Sequence, residues 1–512
     1  MEPTVLLGMG PVTIGDVVAV ARHGARVAIS DEALAAVAAS RADVEELAAS
    51  GRPVYGVSTG FGSLATRYIE PEQRHRLQRS LVRSHAAGAG DPVETEVVRA
   101  MLLLRLSTLC TGRTGVRPAT AQAYAGLLNA GITPVVPEYG SLGCSGDLAP
   151  LSACALTVMG EGEVFDAAGS RMASLEALEA AGLASVELEE KEGLALINGT
   201  DGMLGMLALA ITDLRALATT ADISAAMSVE ALMGTDRVFA AELQALRPHP
   251  GQAASARNLV RILAGSEIVA SHLTGDPKVQ DAYSLRCAPQ VAGAVRDTID
   301  HAETVATREL ASAIDNPVVL PDGRIESNGN FHGAPVAYVL DFLAIVAADL
   351  ASISERRTDR MLDPARSHGL PAFLADDPGV DSGHMIAQYT QAAIVSELKR
   401  LAVPASVDSI PSSAMQEDHV SMGWSAARKL RRSVDGLQRV LAIEVLTAAR
   451  ALDLRAPLRP AAGTEAVRAL VRAHVEGPGP DRWLAPEIAA VHALVADGSI
   501  VAAARAAAGE LE

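Results

Sequence analysis

A chain of 512 residues with 49% apolar but only 3% aromatic side chains draws its apolar mass from Ala, Leu and Val, as closely packed helices do and aromatic-rich sheets do not. Its 61 acidic against 43 basic residues leave a net charge of −18, which argues against a nucleic-acid-binding surface. Four cysteines without CxxC spacing exclude a disulfide scaffold and fit a reducing cytoplasm, so the expectation is an all-α cytoplasmic protein.

In chain order, the opening MEPTVLLGMGPVTIGD has no basic stretch and too short an apolar run for a secretory signal. Thr13 before IGDVVAVARHG and Ser30 before DEALAAVAAS are placed to cap short helices over 11–50. VYGVSTGFGSLA, with Gly56, Gly60 and Gly62, breaks that pattern and reads as a loop. Residues 71–131 return to helix, with an apolar face in EVVRAMLLLRLSTL. A Pro- and Gly-rich segment follows over 134–150, then a small polar excursion over 162–190.

From about residue 200 the windows 202–234, 253–272, 290–314, 334–362, 383–403 and 418–453 are longer than an average helix and predict a long-helix bundle. INGTDG, VQDAYSLRC, ESNGNFHG and SIPSSAMQEDH punctuate them. The apolar stretches 202–219 and 334–353 carry Asp213, Arg215, Asp341 and Asp349 and do not read as membrane spans. The Ala- and Pro-rich tail over 455–512 reads as a loosely attached helical cap. The chain therefore divides by pattern into an N-terminal region 1–200, central helices 201–455 and a cap 456–512.

The densest cluster of small residues is GSLGCSGDLAP, Gly140–Pro150. It is not a GxSxG nucleophile elbow, because Asp147 stands where the second glycine is needed. HExxH, Walker A and GxGxxG patterns are absent from the chain. Read locally, it is a glycine turn with Asp147 capping a helix that begins near Leu148. A second reading accounts for the surplus of small residues. In a tightly bent backbone the Gly146 nitrogen can attack the Cys144 carbonyl carbon; loss of water closes a five-membered ring, and loss of the Ser145 hydroxyl leaves an exocyclic methylidene.

Together with YGVSTGFG, RSHAAG, ALINGTDGM, QDAYSLRC, SNGNFHG and SSAMQEDHVSMG, this segment resembles the aromatic amino acid ammonia-lyases, and among them most closely the histidine ammonia-lyases of actinobacterial type. The likeness spans roughly residues 10–455. It implies an all-α long-helix bundle of the ammonia-lyase and fumarase-like type with a self-made 4-methylidene-imidazol-5-one (MIO) in its N-terminal part, here from Cys144, Ser145 and Gly146. It also implies no metal, no external cofactor, and a homotetramer whose active sites combine residues of different subunits. The ring uses only the backbone of Cys144, so its thiol is incidental to that chemistry.

The implied reaction is non-oxidative elimination of ammonia from L-histidine to trans-urocanate, the first step of histidine degradation. A β-proton so weakly acidic and an ammonium so poor as a leaving group call for an electrophile that first loads the substrate. Tyr55 matches the family tyrosine that removes the β-proton, and with an ordinary pKa near 10 it must be depressed by its neighbours. Tyr283 and Arg286, three apart, would share one face of a helical turn. Arg286 offers a planar fork for the substrate carboxylate, and Asn198 could bond that carboxylate or the MIO oxygen. His85, following Ser84, and Glu417 would recognise the imidazole, which has a donor and an acceptor to satisfy. Phe331 matches a residue near the MIO, and Gln280 and Gln416 are supporting hydrogen-bonding groups.

Ala153 departs from the pattern, standing in LSACAL where histidine-type members have His; this bears on maturation of the ring. Two other functions fit the same motifs: an MIO-dependent tyrosine or phenylalanine ammonia-lyase or aminomutase, and a helical scaffold that has lost the chemistry. The SSAMQEDHVS stretch also resembles the serine loop of fumarase-like lyases, but Gln416-Glu417 replace their Pro-x-Lys portion.

Overall fold

The computed structural model describes residues 3–50, 55–60, 62–64, 66–276 and 278–512; Phe61 of the glycine loop lies outside them. Helices carry most of the chain, with strands confined to small two- and three-stranded sheets, as composition predicts for an all-α protein. The chain divides into two compact units, 1–210 with 303–341 and 404–428, and 211–302 with 342–403 and 429–512. Each is described by itself.

In the first unit, Thr13 and Asp16 form a reciprocal capping box at the start of the Ile14–His23 helix, and Gly24 ends it in the left-handed conformation. Ser30 accepts from the Ala33 amide and starts Asp31–Ala49. Between these helices Arg26–Ile29 pairs in parallel with Thr4–Leu7, two short strands absent from the helical expectation. The predicted helical stretch 71–131 is three helices, Arg74–His85, Thr95–Cys110 and Pro118–Ala130.

The Thr95–Cys110 helix is buried all round rather than on one face, Arg99 and Arg105 included. Main-chain oxygens take most of the donors of these two buried guanidinium groups, and Arg105 Nε lies 3.5 Å from Asp201 Oδ2. Arg99 donates to Val20 O at 2.9 Å, and Arg105 donates to Asn198 O and Ile314 O, each at 2.8 Å. Arg105 thereby ties together two loops of the site described below.

The long predicted windows end close to their expected limits. Asp201–Ala231, Ala288–Leu310, Ala334–Leu362, Met385–Leu401 and Gly423–Asp453 are continuous helices, while 253–272 breaks into Pro250–Leu263 and Glu267–Ala270. Polar clusters lock the helical segments that meet within the second unit. Glu444 accepts from Ser224, Ser228 and Ser354 and pairs with Arg357 through Nε at 2.5 Å and Nη2 at 2.9 Å. Asp222 accepts from Ser255, Asn258 and Arg296.

The tail is firmly attached, contrary to its expectation as a loose cap. Val467, Val471, Val491 and Ile500 are buried, and Arg468 and Arg472 both bind Asp453. Asp201–Ala231 and Ala334–Leu362 are long and apolar enough to cross a membrane by length and composition alone, yet 78% and 61% of their most apolar windows lie buried within the protein.

Candidate active site

The Gly140–Pro150 segment is a clamped loop. Ser141 Oγ donates to Asp147 Oδ1 at 2.8 Å and accepts from Gly143 N at 3.1 Å. Gly143 O accepts from Ser421 Oγ at 2.7 Å and Gly333 N at 3.1 Å, and Leu142 O accepts from Met422 N at 2.9 Å.

Asp147 does precede the Leu148–Val158 helix, but its side chain does not cap it. Its Oδ2 instead accepts from the amides of Gly202 and Met203, at 3.0 and 2.9 Å, capping the start of the Asp201–Ala231 helix. The reason is burial: a fully enclosed carboxylate goes where unpaired helix-end amides can satisfy it. Enclosure pushes its pKa up to about 7, against the pull of the Met203 amide and the Ser141 hydroxyl.

The bend at Gly146 has φ +73°, and a Cβ there would stand 2.1 Å from Gly199 O and 2.6 Å from Gly199 N. Only glycine fits. Asp147 N donates to that same Gly199 O at 2.7 Å. Asn198 is buried and donates from Nδ2 to Ser145 O at 3.0 Å, while its Oδ1 has no partner among the described residues. The Ser145 carbonyl oxygen that it bonds is the one that would become the ring oxygen.

Cys144 and Ser145 form one wall of a cavity of about 430 Å³. Tyr55 and Gly62 line it from the glycine loop, Phe331 and His332 from the segment before Ala334–Leu362, and Gln416 to His419 from the serine-rich loop. All these residues belong to the first unit. The serine-rich loop is tightly folded: Ser412 and Glu417 pair through their backbones, and Ser413, Ala414 and Met415 between them all have positive φ, from 51° to 68°. Left-handed backbone at three consecutive non-glycine residues is a strain that persists where the surroundings enforce it, often beside functional sites.

Glu417 Oε2 accepts from Cys144 Sγ at 2.9 Å and Ser412 Oγ at 3.3 Å. Burial, reinforced by the Glu417 charge, pushes the Cys144 thiol up to about 12, so it stays protonated and is the donor. The Tyr55 hydroxyl accepts from Gly62 N at 3.2 Å. Its pKa is raised, not depressed as the sequence reading required, because burial outweighs the Gly62 hydrogen bond and Glu417 adds a like charge.

Residues 12–473 match the aromatic amino acid lyase family. The chain belongs to that family. Over 99% of both chains it is 68% identical to a histidine ammonia-lyase of Streptomyces coelicolor and 67% identical to one of Streptomyces avermitilis. In structure it is similar to a tyrosine aminomutase of Streptomyces globisporus, with TM-score 0.94, 37% identity and all of both chains covered. It is also similar to a histidine ammonia-lyase of Trypanosoma cruzi, with TM-score 0.90 and 40% identity over 98% of this chain and 95% of that one.

The remaining residues singled out for this family's chemistry fall into two groups. His85 ends the Arg74–His85 helix near the cavity but does not line it. Its Nδ1 is 2.9 Å from Leu81 O; a carbonyl only accepts, so Nδ1 carries the hydrogen and Nε2 is left as acceptor. Burial lowers its pKa against the pull of Glu417, keeping the ring neutral at pH 7. Gln280, Tyr283 and Arg286 lie in the second unit, where Gln280 and Tyr283 are exposed. The Tyr283 and Arg286 side chains do share a face, the guanidinium lying 4.7 Å from the ring centroid.

Sequence reasoning missed Asn316, Ser327, Asn328, His332, Asp418 and His419 among the lining residues. Asn316 accepts from Ser327 Oγ and Asn328 N at 2.9 Å each, beside the buried Lys191–Asp315 ion pair. His332 and His419 stack with ring centroids 5.6 Å apart and planes 4° apart. Both histidines sit within quoted motifs, but only folding brings SNGNFHG against QEDHV.

Proposed function

We propose that this chain is a histidine ammonia-lyase, a carbon–nitrogen lyase that eliminates ammonia from L-histidine to give trans-urocanate. The observation that carries the reading is the Asn198–Ser145 hydrogen bond on a loop bent at a position that only glycine can occupy. The segment fits the MIO group: a Cβ at residue 146 is forbidden, and a buried amide donor already addresses the oxygen that would become the ring oxygen. In self-processing, the Gly146 nitrogen bonds to the Cys144 carbonyl carbon, whose oxygen leaves as water, and Ser145 gives up its hydroxyl with its α-hydrogen as a second water. The methylidene supplies an electrophile that no ordinary side chain offers.

The chain's own residues do the rest. Asn198 steadies negative charge on the Ser145 carbonyl oxygen. Tyr55 faces the cavity as the proton-transfer residue; as its pKa is raised, it is a phenol at neutral pH and gains basicity as pH climbs. His85 Nε2 as acceptor and Glu417 as anion suit an imidazole, with Phe331 walling the cavity. Tyr283, Arg286 and Gln280 come from another subunit of a homotetramer, in keeping with an aromatic ring 72% exposed and a cavity lined by the first unit alone. Region 1–200 carries the processed segment, 201–455 the long helices and 456–512 the cap of one cytoplasmic enzyme, without metal, external cofactor or membrane.

The test is substrate choice. Purified protein should release ammonia from L-histidine with the ultraviolet band of a conjugated product, and Ser145→Ala should remain folded with almost no turnover. Equal rates on tyrosine would overturn the roles of His85 and Glu417, and a β-amino acid product would establish an aminomutase.

A further inference from the structure

The Cys144 thiol has no part in ring formation, which consumes the carbonyl oxygen of Cys144 and leaves its Cα and side chain outside the ring. Yet that thiol is buried, lines the cavity and meets Glu417 Oε2 at 2.9 Å. The only other side-chain donor to Glu417 among the described residues is the Ser412 hydroxyl, on the same oxygen at 3.3 Å. Oε1 accepts from none of the described residues, which leaves it for a ligand.

We propose that Cys144 is a positioning residue for substrate recognition: its S–H group anchors Oε2 of Glu417, so that Oε1 is presented to the substrate's imidazole N–H. The proposal rests on the histidine reading above. A thiol is a weak donor, but a carboxylate acceptor strengthens the bond, and protonation of the thiol throughout the neutral range keeps the anchor in place. A side chain without a donor at position 144 would leave Oε2 to the longer Ser412 contact, freeing the carboxylate to rotate. Half of the pairing between Glu417 and the thiol is local to the processed tripeptide, so one segment both forms the electrophile and orients the group that selects its substrate.

Two measurements test this. In infrared spectra the Cys144 S–H band is identified by its loss in Cys144→Ser; it should rise in frequency in Glu417→Gln, where the carboxylate acceptor is gone. An unchanged frequency overturns the proposal, whether or not histidine is turned over. In kinetics, with loss of two waters checked by mass in every variant, Cys144→Ala should raise KM for histidine about fivefold, the size of one modest hydrogen bond, with a smaller effect on kcat. Cys144→Ser, which restores a donor, should bring KM back toward the wild-type value. Equal KM for Cys144→Ala and wild type, or equal losses in the alanine and serine variants, would overturn the proposal. Absence of turnover in the wild type would sink the histidine reading while the infrared shift still decides the hydrogen bond.

Discussion

Two residues show how burial sets chemistry at single positions. The raised pKa of Tyr55 means that its phenolate fraction grows with pH through and beyond the ordinary value near 10. If Tyr55 is the base, kcat/KM should climb from pH 7 to pH 9, and Tyr55→Phe should flatten the profile while removing most of the activity; a pH–rate series on both proteins checks this. Asp147 satisfies Ser141 and two helix-end amides at once. Asp147→Ala should therefore cost about 3 kcal/mol or more by leaving buried donors unpaired, and Asp147→Asn less, as measured by denaturant unfolding. The sequence pointed to Asp147 as a cap, and it is one, but the helix it serves starts 54 positions later than Asp147. Local propensity places a carboxylate before a helix; only the packed interior decides which orphan amides it meets.

Helix boundaries were legible where the cap is local. Thr13 and Ser30 do what their spacing predicts, and the window 334–362 coincides with a continuous helix. Short strands escaped because two to four residues carry no usable alternation, and the all-round burial of Thr95–Cys110 escaped because two arginines in an apolar run mimic a solvent face. Those arginines, like Arg357, are answered by acceptors far along the chain. Arg357 and Glu444 are almost wholly enclosed, so removing one partner strands a charge. Arg357→Leu should lower stability by about 3–5 kcal/mol, read as a shift in denaturation midpoint; a change within experimental error would mean that the serines around Glu444 suffice.

At the scale of the molecule, pH dependence has a candidate origin in His384. Burial, aided by Arg450, Arg472 and Arg482, lowers its pKa to about 3, whereas in the unfolded chain it titrates near 6.5. The unfolded state thus takes up a proton first, so the contribution of His384 is intact above pH 6.5 and is lost as pH falls toward 3, by about 1.4 kcal/mol per pH unit within that window. His384→Gln should flatten the fall of unfolding temperature between pH 6 and pH 4. The assembled site was legible only in pieces: each motif announces its residues, but the meeting of Cys144, Glu417, His332 and His419 depends on contacts spanning up to 273 positions, which no local pattern encodes. The most direct test of the whole account is the intact mass of the purified chain. It should be lighter than the sequence requires by two water molecules, with the loss confined to the peptide containing Cys144-Ser145-Gly146; a full-length mass with that peptide unmodified would contradict it.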